Sequence, residues 1–222
     1  MTRVVVVDYG MGNRRSVVKA LEHVGATVTV TSDVGQVQLA AGLVVPGVGA
    51  FPAAMDSLDA RGLIAPLRAA AARGTPMLGI CLGMQLLLER SVEVAPTEGL
   101  GLIAGEVTPL ATGGLRVPHI GWNEVSLRRP SPLTAGMPPG GTAFYHVHSF
   151  AARPRDAADV IATTTYGEAF ATIVGHGSVF GVQFHPEKSS AHGLAMLRAF
   201  VALCRDFAEP GAGRRSAAPA RA

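Results

Sequence analysis

Short runs of β-branched residues alternate with helix-like stretches over the first 90 residues, and then the pattern changes. Val4 to Val7 is continuously apolar, as expected of a strand buried on both faces of a parallel sheet. Residues 16–24 read as a helix ending near Gly25, residues 27–30 as a second strand and 42–45 as a third. Helical segments follow at 50–59 and 62–72, the latter rich in alanine and closed by Gly74. The apolar run at 76–80 reads as a strand, and residues 84–89 as a helix. Strands alternating with helices in this way predict a right-handed parallel α/β sheet.

In the second half, strand-like pieces at 101–107, 122–127, 143–150, 158–164, 170–175 and 178–184 succeed one another through Gly and Pro turns. Little helix lies between them, so they read as antiparallel additions plus one or two returns to the main sheet. Residues 190–207 form a closing helix. No internal repeat and no linker divides the chain. The expected fold class is α/β: a single domain over residues 1–207, with a mainly parallel central sheet flanked by helices and antiparallel additions late in the chain. Residues 208–222, rich in Gly, Ala, Pro and Arg, read as a disordered basic tail.

Charge and cysteine content narrow the classes further. The net charge of +3 is matched by three arginines in the last 13 residues, Arg214, Arg215 and Arg221, with no acid among them. The basic character therefore belongs to the tail, and no nucleic-acid patch is expected. No uninterrupted apolar stretch approaches the ~18 residues of a membrane span, and the first apolar run is too short for a signal peptide. Two cysteines do not make a disulfide framework. Cys204, among Phe200, Val201, Leu203 and Phe207, reads as a small buried apolar group. A cytoplasmic protein in a reducing setting is expected, with no membrane partner.

Cys81 is different. Gly79-Ile80-Cys81-Leu82-Gly83 follows the 76–80 strand and opens the next helix. Strand, tight turn and helix form the layout of a nucleophile elbow, with sulfur in place of a serine oxygen. The helix N-terminus favours a thiolate there. The base is expected in Gln183-Phe184-His185-Pro186-Glu187. Pro186 biases His185 toward extended geometry, and residues two apart on an extended segment share a side, so His185 and Glu187 face together. A cysteine, a histidine and an orienting carboxylate complete a triad, which is recognised by role and not by chain order.

Other segments carry weaker signals. Pro46-Gly47-Val48-Gly49 follows the third strand, at the sheet edge where open α/β folds bind ligands, and its backbone N–H groups suit an oxyanion. Asp8-Tyr9-Gly10-Met11-Gly12-Asn13 lacks the third glycine of a dinucleotide fingerprint, since position 15 is Arg15; it reads as a surface loop at the same edge. His146 and His148 alternate on one strand and with His185 suggest metal ligands, but no further Cys/His spacing supports zinc, and no metal is expected. Trp122, in His119-Ile120-Gly121-Trp122-Asn123, reads equally as a core residue or as an aromatic anchor on a partner surface.

Taken in order, PGVGAF, GICLGMQLL and GVQFHPEKS resemble the class I (triad) glutamine amidotransferases over residues 3–207. With DYGMGN, HIGWN and YHVHSF, the chain is similar to the branch that supplies ammonia in imidazole glycerol phosphate synthases of histidine biosynthesis. The resemblance implies that Cys81 attacks the side-chain amide of L-glutamine, that His185 shuttles the proton and that Glu187 orients it. It implies an oxyanion hole from Val48, Gly49 and Leu82, and glutamine contacts from Gln85, Glu93 and Ser149. It also implies ammonia transfer into a separate (β/α)₈-barrel cyclase subunit, bound as a heterodimer through Gly10, Met11, Gly12, Asn13, His119, Trp122, Asn123 and Lys188. No cofactor is implied. The oxyanion loop of such proteins is expected to be misaligned until the partner binds its ligand.

Arg14, next to the expected interface, and His146 and Phe150 depart from the usual residues of that branch, and none of the three touches the triad. The nearest rival is a glutaminase subunit of another amidotransferase synthase. A stand-alone hydrolase of γ-glutamyl compounds and a catalytically silent binding protein are further readings.

Overall fold

The computed structural model describes residues 2–138 and 141–209. The first half runs β1 (Thr2–Val7), α1 (Arg14–His23), β2 (Ala26–Thr31), α2 (Val34–Gln38), β3 (Leu43–Gly47), α3 (Phe51–Asp59), α4 (Ile64–Ala72), β4 (Met77–Cys81) and α5 (Leu82–Leu86). The second half continues with β5 (Leu88–Ser91), β6 (Thr97–Glu98), β7 (Ile103–Pro109), β8 (His119–Leu127), β9 (Thr142–His148), β10 (Phe150–Pro154), β11 (Val160–Tyr166), β12 (Glu168–His176), β13 (Val179–Val182) and α6 (Ser190–Ala208). Single 3₁₀ turns lie at Pro132–Thr134, Ala157–Asp159 and Pro186–Lys188.

One mixed sheet carries everything. Its parallel part has the order β2-β1-β3-β4-β13, and β12 then pairs antiparallel to β13. Beyond β12 come β10, β7, β5 and β6, of which β7 and β5 pair in parallel. A side branch leaves β12 through β11 and β8 to β9. The return of β13 to the parallel part is the chain's late re-entry into the main sheet. It brings the segment after Val182 beside the end of β4.

The continuous apolar runs have a simple cause. Val5 and Val7 face one core with α3 and α4, while Val4 and Val6 face the other with α1 and α6. Because both faces are covered, neighbouring residues are both buried and the strand shows no alternation. Cys204 is fully buried in the second core, and burial pushes its thiol up to about 12, as suits a packing residue.

Several expected elements are displaced. Residues 84–89 do not form one helix: α5 ends at Leu86 and β5 begins at Leu88. All of Leu82 to Leu88 is buried, so a polar face that would mark a helical period is missing. The segment 143–150 is two strands, β9 on β8 and β10 on β7, parted at Ser149. The expected strand at 178–184 stops at Val182, leaving Gln183 and Phe184 irregular. Helix α2, unforeseen, is five residues long and starts where Asp33 accepts a hydrogen bond from the Gln36 amide at 2.8 Å. The closing helix extends to Ala208, one residue into the expected tail, and residues 210–222 lie outside the described part. No helix among the described residues is long and apolar enough to cross a membrane.

Helix α5 lies so close to β3 that a methyl group on Gly83 would run into the carbonyl of Val45. Gly83→Ala is therefore expected to destabilise the fold by about 1–3 kcal/mol, the usual range for an overpacked core. Chemical denaturation reads this directly, and an unchanged midpoint would contradict the packing described.

Candidate active site

Three neighbouring parallel strands, β3, β4 and β13, end at the same edge, with Gly47 in register with Cys81. That edge is where chain crossovers open a crevice in α/β sheets. PGVG, Cys81 and the approach to His185 are thereby brought together from three distant parts of the chain.

Cys81 closes β4 and caps α5 with φ 56° and ψ −112°, a backbone state costly for a side chain bearing a Cβ. The turn is enforced from both sides. A Cβ on Gly79 would meet the backbone of Gly83, and one on Gly47 would fall 2.8 Å from Gly83 N and from Leu82 Cβ. Glycine at these positions lets the backbones touch and turns the thiol outward. Cys81 is 6% exposed, with its sulfur 3.5 Å from the Val147 carbonyl and 3.9 Å from Gln183 Nε2.

His185 Nδ1 lies 2.9 Å from Glu187 Oε1, and the Glu187 side chain is wholly buried. The expected contact is present, but its cause is different. Pro186–Lys188 is a 3₁₀ turn, so the two side chains meet by curling and not by sharing one side of an extended strand. The His185 backbone is fixed by its amide to Tyr145 O at 2.9 Å and by Ser189 Oγ donating to its carbonyl at 2.7 Å. Burial opposes a charge on this ring, yet hydrogen bonds with Cys81 and Glu187 outweigh it and raise its pKa to about 9. The imidazole thus holds a proton beside the sulfur, the arrangement of an acid–base partner for a thiol nucleophile.

A cavity of about 270 Å³ opens at the sulfur. Its lining gathers Cys81, His185, Val48, Gly49, Leu82, Gln85, Glu93, Ser149 and Lys188, all singled out in the sequence. Pro118, Val147, His148 and Phe150 line it too, and were not foreseen as cavity residues. The β9–β10 break at Ser149 creates the part formed by Val147, His148 and Phe150, and it depends on long-range pairing that no local pattern displays. Glu93 Oε2 accepts the Phe51 amide at 2.8 Å, which fastens the start of α3 to the cavity rim. Gln85 Nε2 donates to Phe150 O and to Gln183 Oε1, both at 3.1 Å.

The loop after β1 rests on PGVG. Tyr9 OH donates to Pro46 O at 2.5 Å, Gly12 abuts Pro46 at φ 108°, and Met11 Cε lies 2.7 Å from where a Gly49 Cβ would stand. Gly10 is exposed, and Met11, Gly12 and Asn13 are half-buried. Arg14 makes an ion pair with Asp8. On the other side, Trp122 is 55% exposed and packs edge-on against Tyr145, over whose ring Lys188 Nζ lies at 6.0 Å. The core reading of Trp122 is thereby set aside. His119 needs a correction as well. It was expected on an exposed partner face, but it is 3% exposed, because on β8 it points inward with Asn123 while Ile120 and Trp122 point out. The histidines weighed as metal ligands have other partners: His146 contacts Phe144 O and Thr172 Oγ1, each at 3.0 Å, and His148 contacts Phe150 O.

Comparison with known proteins agrees with this picture. Residues 5–204 match the family model described as glutamine amidotransferase class-I. The chain is 49% identical to imidazole glycerol phosphate synthase subunit HisH of Moorella thermoacetica, over 95% of this chain and all of that one. It is 46% identical to the protein of the same name from Geobacillus kaustophilus, over 89% of this chain and 95% of that one. Among solved structures, a chain of PurLQS from Thermotoga maritima superposes with a TM-score of 0.69 at 20% identity. The match covers 94% of this chain and 99% of that one. At that identity the superposition speaks for the fold alone.

The histidine–carboxylate contact has a measurable consequence. Its raised pKa means that the stability from protonated His185 is fully present below its unperturbed value of 6.5 and is lost as pH rises through about 9. An NMR titration of the free chain is expected to show this ring losing its proton near pH 9, and at a lower pH in Glu187→Gln. A ring that titrates near 6.5 in both proteins would contradict the described contacts.

Proposed function

The chain belongs to the class I glutamine amidotransferases, and we propose that it is the glutaminase subunit of an imidazole glycerol phosphate synthase. Its 49% identity with a protein of that name, over 95% of this chain and all of that one, is the observation that carries the assignment. The elbow cysteine beside a protonated histidine supports the chemistry.

In this reading the Cys81 sulfur attacks the side-chain amide carbon of L-glutamine in the cavity. The oxyanion is received by the backbone N–H groups of Leu82, at the head of α5, and of the Val48–Gly49 turn. His185, carrying the thiol's proton on Nε2 while its Nδ1–H stays bonded to Glu187, gives that Nε2 proton to the departing ammonia. It then takes a proton from the water that attacks the thioester, and glutamate leaves. Gln85, Glu93 and Ser149 hold the amino-acid end of the substrate. The Glu187 hydrogen bond at Nδ1 leaves Nε2 to face the sulfur, the tautomer this shuttle requires.

The ammonia passes to a (β/α)₈-barrel cyclase subunit, which uses it on a phosphoribulosyl-formimino carboxamide nucleotide. The products are imidazole glycerol phosphate and aminoimidazole carboxamide ribotide. Direct transfer has a physical motive, since ammonia released to neutral water is mostly protonated and no longer nucleophilic. Gly10 to Asn13, beside the Val48–Gly49 turn, together with Trp122, half-buried Asn123 and cavity-lining Lys188, form the face for that partner. Exposed Trp122, with an apolar ring and a polar edge, has the chemistry of an interface anchor. The heterodimer works in the cytoplasm, where histidine is made.

Glutamate release from glutamine, measured for the chain alone and then with the cyclase partner plus its nucleotide ligand, tests this. Near-silence alone and strong stimulation by the pair are expected. Full activity alone points instead to an independent hydrolase, and silence in both states to a different synthase partner. Cys81→Ala in the stimulated complex is expected to lower kcat by ~10³ or more, the scale seen when a covalent nucleophile is removed.

A further inference from the structure

His119, His146 and His148 cluster where β8 pairs with β9, His119 facing His148 in register. All three rings are buried, and of the three His148 lines the cavity. Their hydrogen bonds run in one direction, and the direction is fixed from both ends. At the outer end Asn123 Oδ1 accepts the Glu124 amide at 2.8 Å, and its Nδ2 donates to Thr165 O at 2.9 Å, so the orientation of this amide is settled. Asn123 Nδ2 also donates to His119 Nε2 at 3.2 Å, which makes that nitrogen an acceptor and puts the proton of His119 on Nδ1. Nδ1 then donates to His148 Nε2 at 2.9 Å. At the inner end, His148 Nδ1 faces the Phe150 carbonyl at 2.9 Å and must donate, which again leaves Nε2 as the acceptor.

The Phe150 carbonyl also receives Gln85 Nε2, whose second hydrogen bond reaches Gln183 Oε1, and Gln183 Nε2 lies 3.9 Å from the Cys81 sulfur. His119 is held flat by stacking on Tyr166, centroids 4.1 Å apart, and on His146 at 4.9 Å. We propose that His119 and Asn123 are positioning residues for glutamine: through His148 they fix the Phe150 carbonyl and the Gln85 amide in the cavity wall. Both nitrogens of His148 are committed inside the protein, so the ring shows the cavity no base that competes with His185. Burial lowers the pKa of both histidines, that of His148 to about 4, which suits a run that a second ring proton would break. The inference rests on the cavity being the glutamine site.

Two measurements test it separately. In the ¹⁵N spectrum of the free chain, His119 and His148 are each expected to carry the proton on Nδ1 with Nε2 in a hydrogen bond. A proton on His148 Nε2 overturns the run whatever the enzyme does. In the glutaminase assay with the cyclase partner, His119→Phe keeps a ring for the stack but cannot donate. It is expected to raise KM for glutamine roughly five- to tenfold, the worth of one lost hydrogen bond, with kcat within about twofold. His119→Asn, which places an amide donor near the lost Nδ1, is expected to recover most of the affinity. A fall in kcat at unchanged KM, or an Asn variant as poor as the Phe one, overturns the positioning role. No glutaminase from the unaltered chain would instead overturn the proposed function and leave the spectrum to decide the run.

Discussion

The site depends on one backbone constraint, the left-handed turn at Cys81. A cysteine does not adopt φ 56° on its own account, and the surrounding backbone must over-determine it. Here β3 on one side and the start of α5 on the other approach until Gly47, Gly79 and Gly83 have no space for a Cβ. The strain at the nucleophile is thus sustained by packing of the parallel sheet. The same close approach places the first amides of α5 next to the sulfur, where an oxyanion would form. Because β13 re-enters the sheet beside β4, His185, the proposed general base, arrives by the same architecture and needs no separate scaffold.

Four histidines lie within or against this site, and their surroundings drive them in opposite directions. His185 has a buried carboxylate and a sulfur as partners, and its proton is held to about pH 9. His119, His146 and His148 are buried among neutral acceptors and one another, and all are lowered, His146 to about 3. The difference is the partner and not the depth, since His146 is even less exposed than His185. A neutral ring can relay a direction of hydrogen bonding, whereas a charged one can donate at both nitrogens. In the proposed reading, His185 carries the proton chemistry while neutral His148 lines the cavity wall beside it.

Much of this was legible in the sequence where the signal is local. The β-branched runs mark the parallel strands, and glycines around Cys81 mark the turn because only a missing Cβ permits it. The His185–Glu187 contact followed from spacing, although the turn that produces it is curled and not extended. What stayed hidden depends on pairing between distant segments. Nothing near Ser149 announces that β9 and β10 part there to join different neighbours, so His148, Val147 and Phe150 were not foreseen as wall. His119 was misplaced for a related reason. The HIGWN segment identifies a strand near the partner face, but which of its two sides points inward is decided by the sheet it joins.

Exposure divides the site unequally. Cys81 and His185 are 6% and 4% exposed and the Glu187 side chain is wholly buried, whereas Val48, beside the Gly49 turn at φ 105°, is 43% exposed. The proposed nucleophile and its base are therefore held by the core, while the Val48–Gly49 turn proposed to offer oxyanion donors is held mainly from one side. Tyr9, Met11 and Gly12 supply that side, through a hydroxyl bond to Pro46 and close contact along PGVG. Burial of Tyr9 raises its pKa well above the usual phenol value, so that bond remains a neutral donor throughout the working pH range. Elements with few buried contacts are those a partner can most readily move. The loop that bears on the oxyanion turn is itself the one exposed beside Gly10. A partner resting on that loop would therefore act on the Val48–Gly49 turn through backbone already in contact with it, without disturbing the buried side chains of Cys81, His185 and Glu187.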